Sequence, residues 1–176
     1  MKSPFIKYGV IYGVVSIIVS LVVYMVSPAL FAEWWLGLAL LIIPIFFMSQ
    51  AVKETRSAGG GHIDFGSAFV QGFGTFMVGL IISTIFSYLL YNVIDPGLED
   101  VIKEQMAETM SGFEELLGEE AFDQMLEEVE SKSLASPGAL LQGILGSGFF
   151  GAIISLIIAA IMKKNRPMID TLDDQV

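Results

Sequence analysis

The sequence predicts an all-α polytopic membrane protein with four transmembrane helices and an acidic amphipathic helical insert between the third and the fourth. Three observations carry that reading. Four stretches hold no charged residue: Tyr8–Val26, Trp34–Val52, Phe65–Ile94 and Ser133–Met162. Each reaches the ~18–20 apolar residues that a helix needs to cross the ~30 Å hydrocarbon core of a bilayer. The hydrophobic fraction is 54% and mean hydropathy is +0.70, above the roughly 45–50% apolar content of soluble domains, a range that already counts glycine. Lastly, thirteen acids and one base, Lys103, lie between Asp95 and Glu130, so much of the net charge of −10 belongs to one segment. The spans are drawn at about 8–26, 34–52, 65–94 and 137–162 of a single membrane domain, 1–176. Residues 95–136 form the extracytoplasmic acidic helical insert.

The first span has a basic start, and Ser27-Pro28-Ala29 loosely imitates a signal-peptidase site. Its apolar run is longer than the usual 7–15 residues, and Pro28 disfavours cleavage, so it reads as a retained span. Spans one and two make a tight hairpin, with Trp34 and Trp35 opening the second and Tyr24 near the same level, where aromatic rings favour the water–lipid boundary. Pro44 removes one backbone donor and is expected to kink the second span. The loop Lys53–Asp64 contains Gly59-Gly60-Gly61 and reads as a flexible linker. Its glycines lack the spacing and the preceding strand of a dinucleotide fingerprint. Asp64 is placed to cap the third span.

The basic residues set an orientation. Lys2, Lys7, Lys53, Arg56, Lys163, Lys164 and Arg166 flank the spans at one end, against Lys103 and Lys132 at the other. Lys and Arg accumulate on the cytoplasmic side. Both termini and the 53–64 loop are therefore expected on the cytoplasmic side of the membrane, and the insert outside.

Small residues recur at helical spacing. The last span carries Gly143, Ser147, Gly151, Ser155 and Ala159; the third carries Thr75, Gly79, Ser83 and Ser87; the first carries Gly9 and Gly13, with Ser16 and Ser20 beside them. Positions i and i+4 share a helix face, so each series makes a smooth groove for a neighbouring backbone. These are the expected helix-packing residues, within the bundle or in a homo-oligomer.

Several chemistries find no support. There is no cysteine, which removes thiolate catalysis and cysteine metal sites. No Asp, Glu, Lys, Arg or His falls at bilayer depth, where coupled transporters keep a group that changes charge. His62, the sole histidine, reads as a solvated loop residue, so no nucleophile–base pair is visible. The chain is read as no enzyme, with no cofactor, no metal and no nucleic-acid partner.

In the insert, Leu98, Val101, Ile102, Met106 and Met110 follow helical spacing, as do Phe122, Met125, Leu126 and Val129. Two amphipathic helices result, with a short helical turn at Phe113–Leu117 between them. Asp100, Glu104 and Glu108 stack at i,i+4, as do Glu115, Glu119, Asp123 and Glu127, and each like-charge pair opposes the helix by roughly 0.2–0.5 kcal/mol. Three readings stay open: a solvated face, a surface for a basic partner formed by Glu104, Glu108, Glu115, Glu119, Asp123 and Glu127, or a divalent-cation site. The last lacks a D-x-D-x-D-G loop.

The pattern resembles domain-of-unknown-function family 4199, small four-span membrane proteins of Bacteroidota and relatives. The resemblance rests on the N-terminal apolar hairpin and on Gly61-His62-Ile63-Asp64-Phe65-Gly66-Ser67-Ala68-Phe69 entering span three. A Glu-rich insert and a glycine-rich last span ending in Lys163-Lys164 complete it. Members often carry Glu where Ser67 stands here. The family brings no catalytic residues; the resemblance implies an inner-membrane location.

The functional expectation is a non-enzymatic accessory or scaffold subunit. It would pack through its small-residue faces in the lipid bilayer, against a second copy or another membrane protein, and present an acidic outer surface. The alternative is a transport or channel-like module whose outer acids attract cations.

Overall fold

The computed structural model describes residues 3–112, 118–134 and 136–165. Helix α1 (Pro4–Val26) leads through a 3-10 turn (Pro28–Ala32) to α2 (Trp34–Leu40) and α3 (Ile42–Ala58). Helix α4 (Phe65–Leu89) ends in a π-helical turn (Leu90–Ile94), and α5 (Leu98–Ser111), α6 (Glu119–Ser131) and α7 (Pro137–Met162) follow. Four crossings are long and apolar enough to span a membrane: Pro4–Val26, Trp34–Ala58, Phe65–Ile94 and Pro137–Met162. The chain is an all-α, multi-pass membrane protein, with no strand among the described residues.

Two boundaries differ from the sequence reading. The first helix begins at Pro4 rather than 8, because proline at the first helical position forfeits no bond. The amide of Phe5 is also satisfied from outside the helix, by Gln71 Oε1 at 3.1 Å. The second crossing continues to Ala58 rather than stopping at 52, which shortens the expected 53–64 linker to Gly59–Asp64. None of Lys53–Ala58 breaks a helix, and Glu54 on this extra turn accepts from Lys7 Nζ at 2.7 Å and Tyr8 OH at 2.8 Å. The turn thus docks on α1. Gly60 and Gly61 then adopt φ of 68° and 87°, the left-handed region that glycine enters without strain.

The second crossing is interrupted at Leu41, three residues before Pro44. Pro44 has no N–H to offer the Leu40 carbonyl, and its ring crowds that oxygen. The ladder responds by doubling up: Leu41 N–H reaches both Gly37 O (3.2 Å) and Leu38 O (3.3 Å).

Helix α4 is the central element. It packs against α1, α3 and α7, while α1 also packs against α3. The main core contains Tyr12, Met48, Val52, Ala68, Phe76, Ile158 and Ala159. A second core at the other end joins Leu90 to Leu98 and Ile102 of α5, with Tyr24, Phe31 and Leu134 packed around them. The insert is therefore not a free-standing appendage at its first helix. Leu98 and Ile102 are buried while Val101 is 41% exposed, which shows which side of α5 faces the bundle.

Candidate functional site

Two surfaces carry the residues singled out above: the small-residue faces inside the bundle and the acidic face of the insert. The small residues of α1 and α4 meet directly. A Cβ on Gly9 would fall 2.6 Å from Val78 Cβ and 2.9 Å from the Thr75 carbonyl, and one on Gly13 would fall 2.7 Å from Ile82 Cβ. Such separations leave no room for any side chain, so glycine at both positions sets how closely α1 and α4 approach. Gly79 accommodates the Tyr12 ring in the same way, and Gly151 accommodates the ring of Phe76. The grooves thus receive mainly side chains rather than bare backbone. Bulky residues of one helix sit in the hollows of the next.

Thr75, Ser155 and Ala159 are buried, while Ser83 and Ser87 are half-buried. Ser155 Oγ donates to the Phe69 carbonyl at 2.9 Å, joining α7 to α4. Thr75 and Ser83 return their hydroxyls to carbonyls one turn back on α4, at 2.7 and 2.9 Å. Ser16 and Ser20 are half-buried beside this contact. The series on α7 divides in the middle. Gly151, Ser155 and Ala159 face α4, whereas Gly143 is exposed with nothing within 4 Å of its missing side chain. Ser147, at the transition, borders a cleft of about 420 Å³ that also involves Tyr12, Leu41, Pro44, Phe76 and Gly151. Gly143 is therefore no packing residue within one copy of the chain. Its half of α7 stands away from α4, and an apolar groove of about 410 Å³ separates Leu141 and Ile144 from Ile81 and Ile85.

At the acidic end, Glu104, Glu108, Asp123 and Glu127 are all exposed. Glu115 and the side chain of Glu119 lie outside the described residues, as does the Phe113–Leu117 turn. Among the described residues, no group of three or more His, Asp or Glu is gathered in a way that could hold a metal ion. The sequence reading passed over Glu99, the acid that organises this end. Its Oε1 accepts from the Leu134 amide at 3.0 Å and pairs with Lys103 at 3.0 Å, and its Oε2 accepts from Ser133 Oγ at 3.0 Å. Partial burial pushes its pKa up, but these donors together outweigh it and hold the carboxyl below its usual value. Lys103 also donates to the Glu130 carbonyl at 3.1 Å, tying α5 to the end of α6. Tyr24 OH donates to Asp95 at 2.9 Å, which fixes the entry to the insert. Among its described side chains α6 buries none fully: Phe122, Leu126 and Val129 are half-covered and Met125 is 40% exposed.

At the opposite, basic end, the residues that carry the family resemblance come together. Asp64 caps α4 as expected, its two oxygens accepting from Ser67 N (2.9 Å) and Ser67 Oγ (2.6 Å). Ser67, through its hydroxyl first and its amide second, lowers the Asp64 pKa. Ile63 pairs antiparallel with Lys164, N to O at 3.0 Å and O to N at 2.8 Å, so the loop is stitched to the end of α7. No local pattern announces a contact between residues so far apart in sequence.

A family model described as a protein of unknown function, DUF4199, matches residues 7–164. No curated protein and no solved structure matches.

Proposed function

Because the chain belongs to the DUF4199 family, whose description assigns no activity, we propose on physical grounds that it is a non-enzymatic accessory or scaffold subunit. One observation carries this reading. Among the described residues, no buried side-chain nitrogen or oxygen lacks a hydrogen-bond partner. The hydroxyls of Thr75, Ser83 and Ser155 are all engaged with helix carbonyls. Gln71 is engaged with Phe5. A conducting or coupled path needs polar groups that exchange partners with a passing ion, or an ionisable group that changes charge. These engaged hydroxyls, and spans free of Asp, Glu, Lys, Arg and His at bilayer depth, favour the scaffold reading over a conducting one.

The distribution of Lys and Arg supports cytoplasmic termini, and the family resemblance supports a bacterial inner membrane. The acidic end would then face outward. The half-covered apolar side of α6, beside exposed Glu104, Glu108, Asp123 and Glu127, supports docking of a basic protein partner there rather than of a lipid surface, since anionic headgroups repel acids. Partner exchange, not turnover, would be the protein's action.

Proteoliposomes test the reading against its channel alternative. Purified protein should leave K⁺, Na⁺ and Ca²⁺ flux at the level of empty vesicles, and mild-detergent extracts should hold the chain in an assembly larger than its own monomer. A protein-dependent flux abolished by neutralising Glu104 and Glu108 would replace the scaffold reading with a conducting one.

A further inference from the structure

A cavity of about 190 Å³ lies between α1, α4 and the break in the second crossing. Its wall carries four hydroxyl-bearing residues, Tyr12, Ser16 and Ser20 of α1 and Ser83 of α4, together with Leu40 at the break. None of these five is exposed: Tyr12 is buried and the others are half-buried. Ser16 stands near the middle of α1 (Pro4–Val26), so the cavity lies at the depth of the hydrocarbon core. It also adjoins a tight part of the bundle, for Ser16 is one turn beyond Gly13 and Ser83 follows Ile82, the two residues in close α1–α4 contact.

The polar groups of this wall have hydrogen-bonding capacity left over. Ser83 Oγ donates to the Gly79 carbonyl at 2.9 Å and keeps its lone pairs. Ser16 is a hydrogen-bonding neighbour of the Tyr12 hydroxyl, and a hydroxyl offers one donor and two acceptor sites. Pro44 has no N–H for the carbonyl of Leu40. An acyl chain filling the cavity would answer none of these groups, and a polar group facing hydrocarbon without a partner is costly. Water answers donors and acceptors alike. Each molecule takes ~30 Å³ as liquid and needs about two to four polar partners, so both the volume and the wall suit a small cluster.

We infer that this cavity is a water-binding site inside the membrane, where bound water bridges Ser16 and Ser20 of α1 to Ser83 of α4 and serves the Leu40 carbonyl. A proline in a membrane helix is tolerated where side chains or ordered water take up the carbonyl it frees. Here the hydroxyls that hold the water belong to two other helices, so the break in the second crossing is tied to the α1–α4 contact through solvent.

Solid-state NMR of the full chain in phospholipid vesicles tests the site, with magnetisation followed from water and, separately, from the acyl chains. Water magnetisation should reach Ser16, Ser20 and Ser83 and miss Ile18, which lies at similar depth on α1 and is 55% exposed. Acyl-chain magnetisation should show the reverse order. Ser16→Ala combined with Ser20→Ala leaves too few partners to hold the cluster, and water transfer at Ser83 should fall about threefold or more. Ser83→Ala, read at Ser20, puts the same question from the other helix and serves if the double variant melts early. Ser87→Ala, one turn beyond Ser83 and outside the lining, should leave transfer at Ser83 unchanged. Absence of water transfer at the three serines would overturn the site, and strong acyl-chain transfer there would identify a lipid tail as the occupant. Undiminished water transfer in both cavity variants would overturn it as well.

Discussion

The ring of Phe76 on α4 occupies the space that a side chain on Gly151 of α7 would need. Phe76 is 6% exposed and also lies 6.3 Å, centroid to centroid, from the Tyr12 ring, whose own neighbour across the contact is Gly79. A file of aromatic rings thus runs through the bundle, each seated over a glycine.

This arrangement makes a sharp prediction for α7. Gly151→Leu should lower the melting temperature in detergent, with a loss on the order of 1–3 kcal/mol or more from overpacking. Ile157→Leu, at a position 54% exposed, should be near neutral. Gly143→Leu should also be near neutral for the monomer, because nothing lies within 4 Å there. Equal melting of the Gly151 and Ile157 variants would mean that the Phe76 contact does not hold the bundle together.

A second test concerns Gly72 and Ser155. A Cβ on Gly72 would fall 2.7 Å from Ser155 Oγ but 3.6 Å from Ser155 Cβ, an ordinary contact. Gly72→Ala alone should destabilise the protein through that clash. Adding Ser155→Ala removes the clashing oxygen, so the double variant should be more stable than the sum of the singles predicts. Strict additivity of the three melting shifts would refute the close approach.

Topology can be read with single cysteines, since the chain has none of its own. Ser57 and Ser111 are both exposed and lie at opposite ends of the bundle. In intact cells a membrane-impermeant thiol reagent should label Ser111→Cys and spare Ser57→Cys. The reverse pattern would place the acidic end in the cytoplasm.

Acid should loosen the end of the insert. Glu99 is held below its usual pKa in the folded state, so its contribution to stability is full above the unfolded value, ~4.3, and is lost as pH falls through the lowered one. Protonation there frees Ser133 and Leu134 from α5. Below about pH 4 the Leu134 amide of the full-length protein should therefore lose hydrogen-exchange protection. Glu99→Gln should expose the same amide at neutral pH. Retained protection of Leu134 in that variant would show that packing around Leu98 and Ile102, not the carboxylate, anchors the segment.

What the sequence determined by itself is whatever depends on local chemistry summed along one helix. Charge-free runs of sufficient length specify spans because a bilayer cannot hydrate a backbone. The Asp64 cap was legible three residues before Ser67, and the burial of Gly9, Gly13, Thr75, Gly79, Gly151, Ser155 and Ala159 was foreshadowed by their spacing. The same spacing also included Gly143, whose neighbour would have to come from a second copy or another membrane protein, since nothing in its own chain lies within 4 Å. Periodicity identifies a face but not how far along the helix a neighbour follows it. Tertiary structure alone decided that the Gly143 half of α7 stands away from α4, that Lys7 and Tyr8 hold Glu54, that Glu99 gathers Ser133 and Leu134, and that Ile63 pairs with Lys164. The last three join groups distant in sequence that the packing of crossing helices brings within hydrogen-bond distance. Which donor meets which acceptor is settled by those crossings, and they follow from packing all the side chains at once.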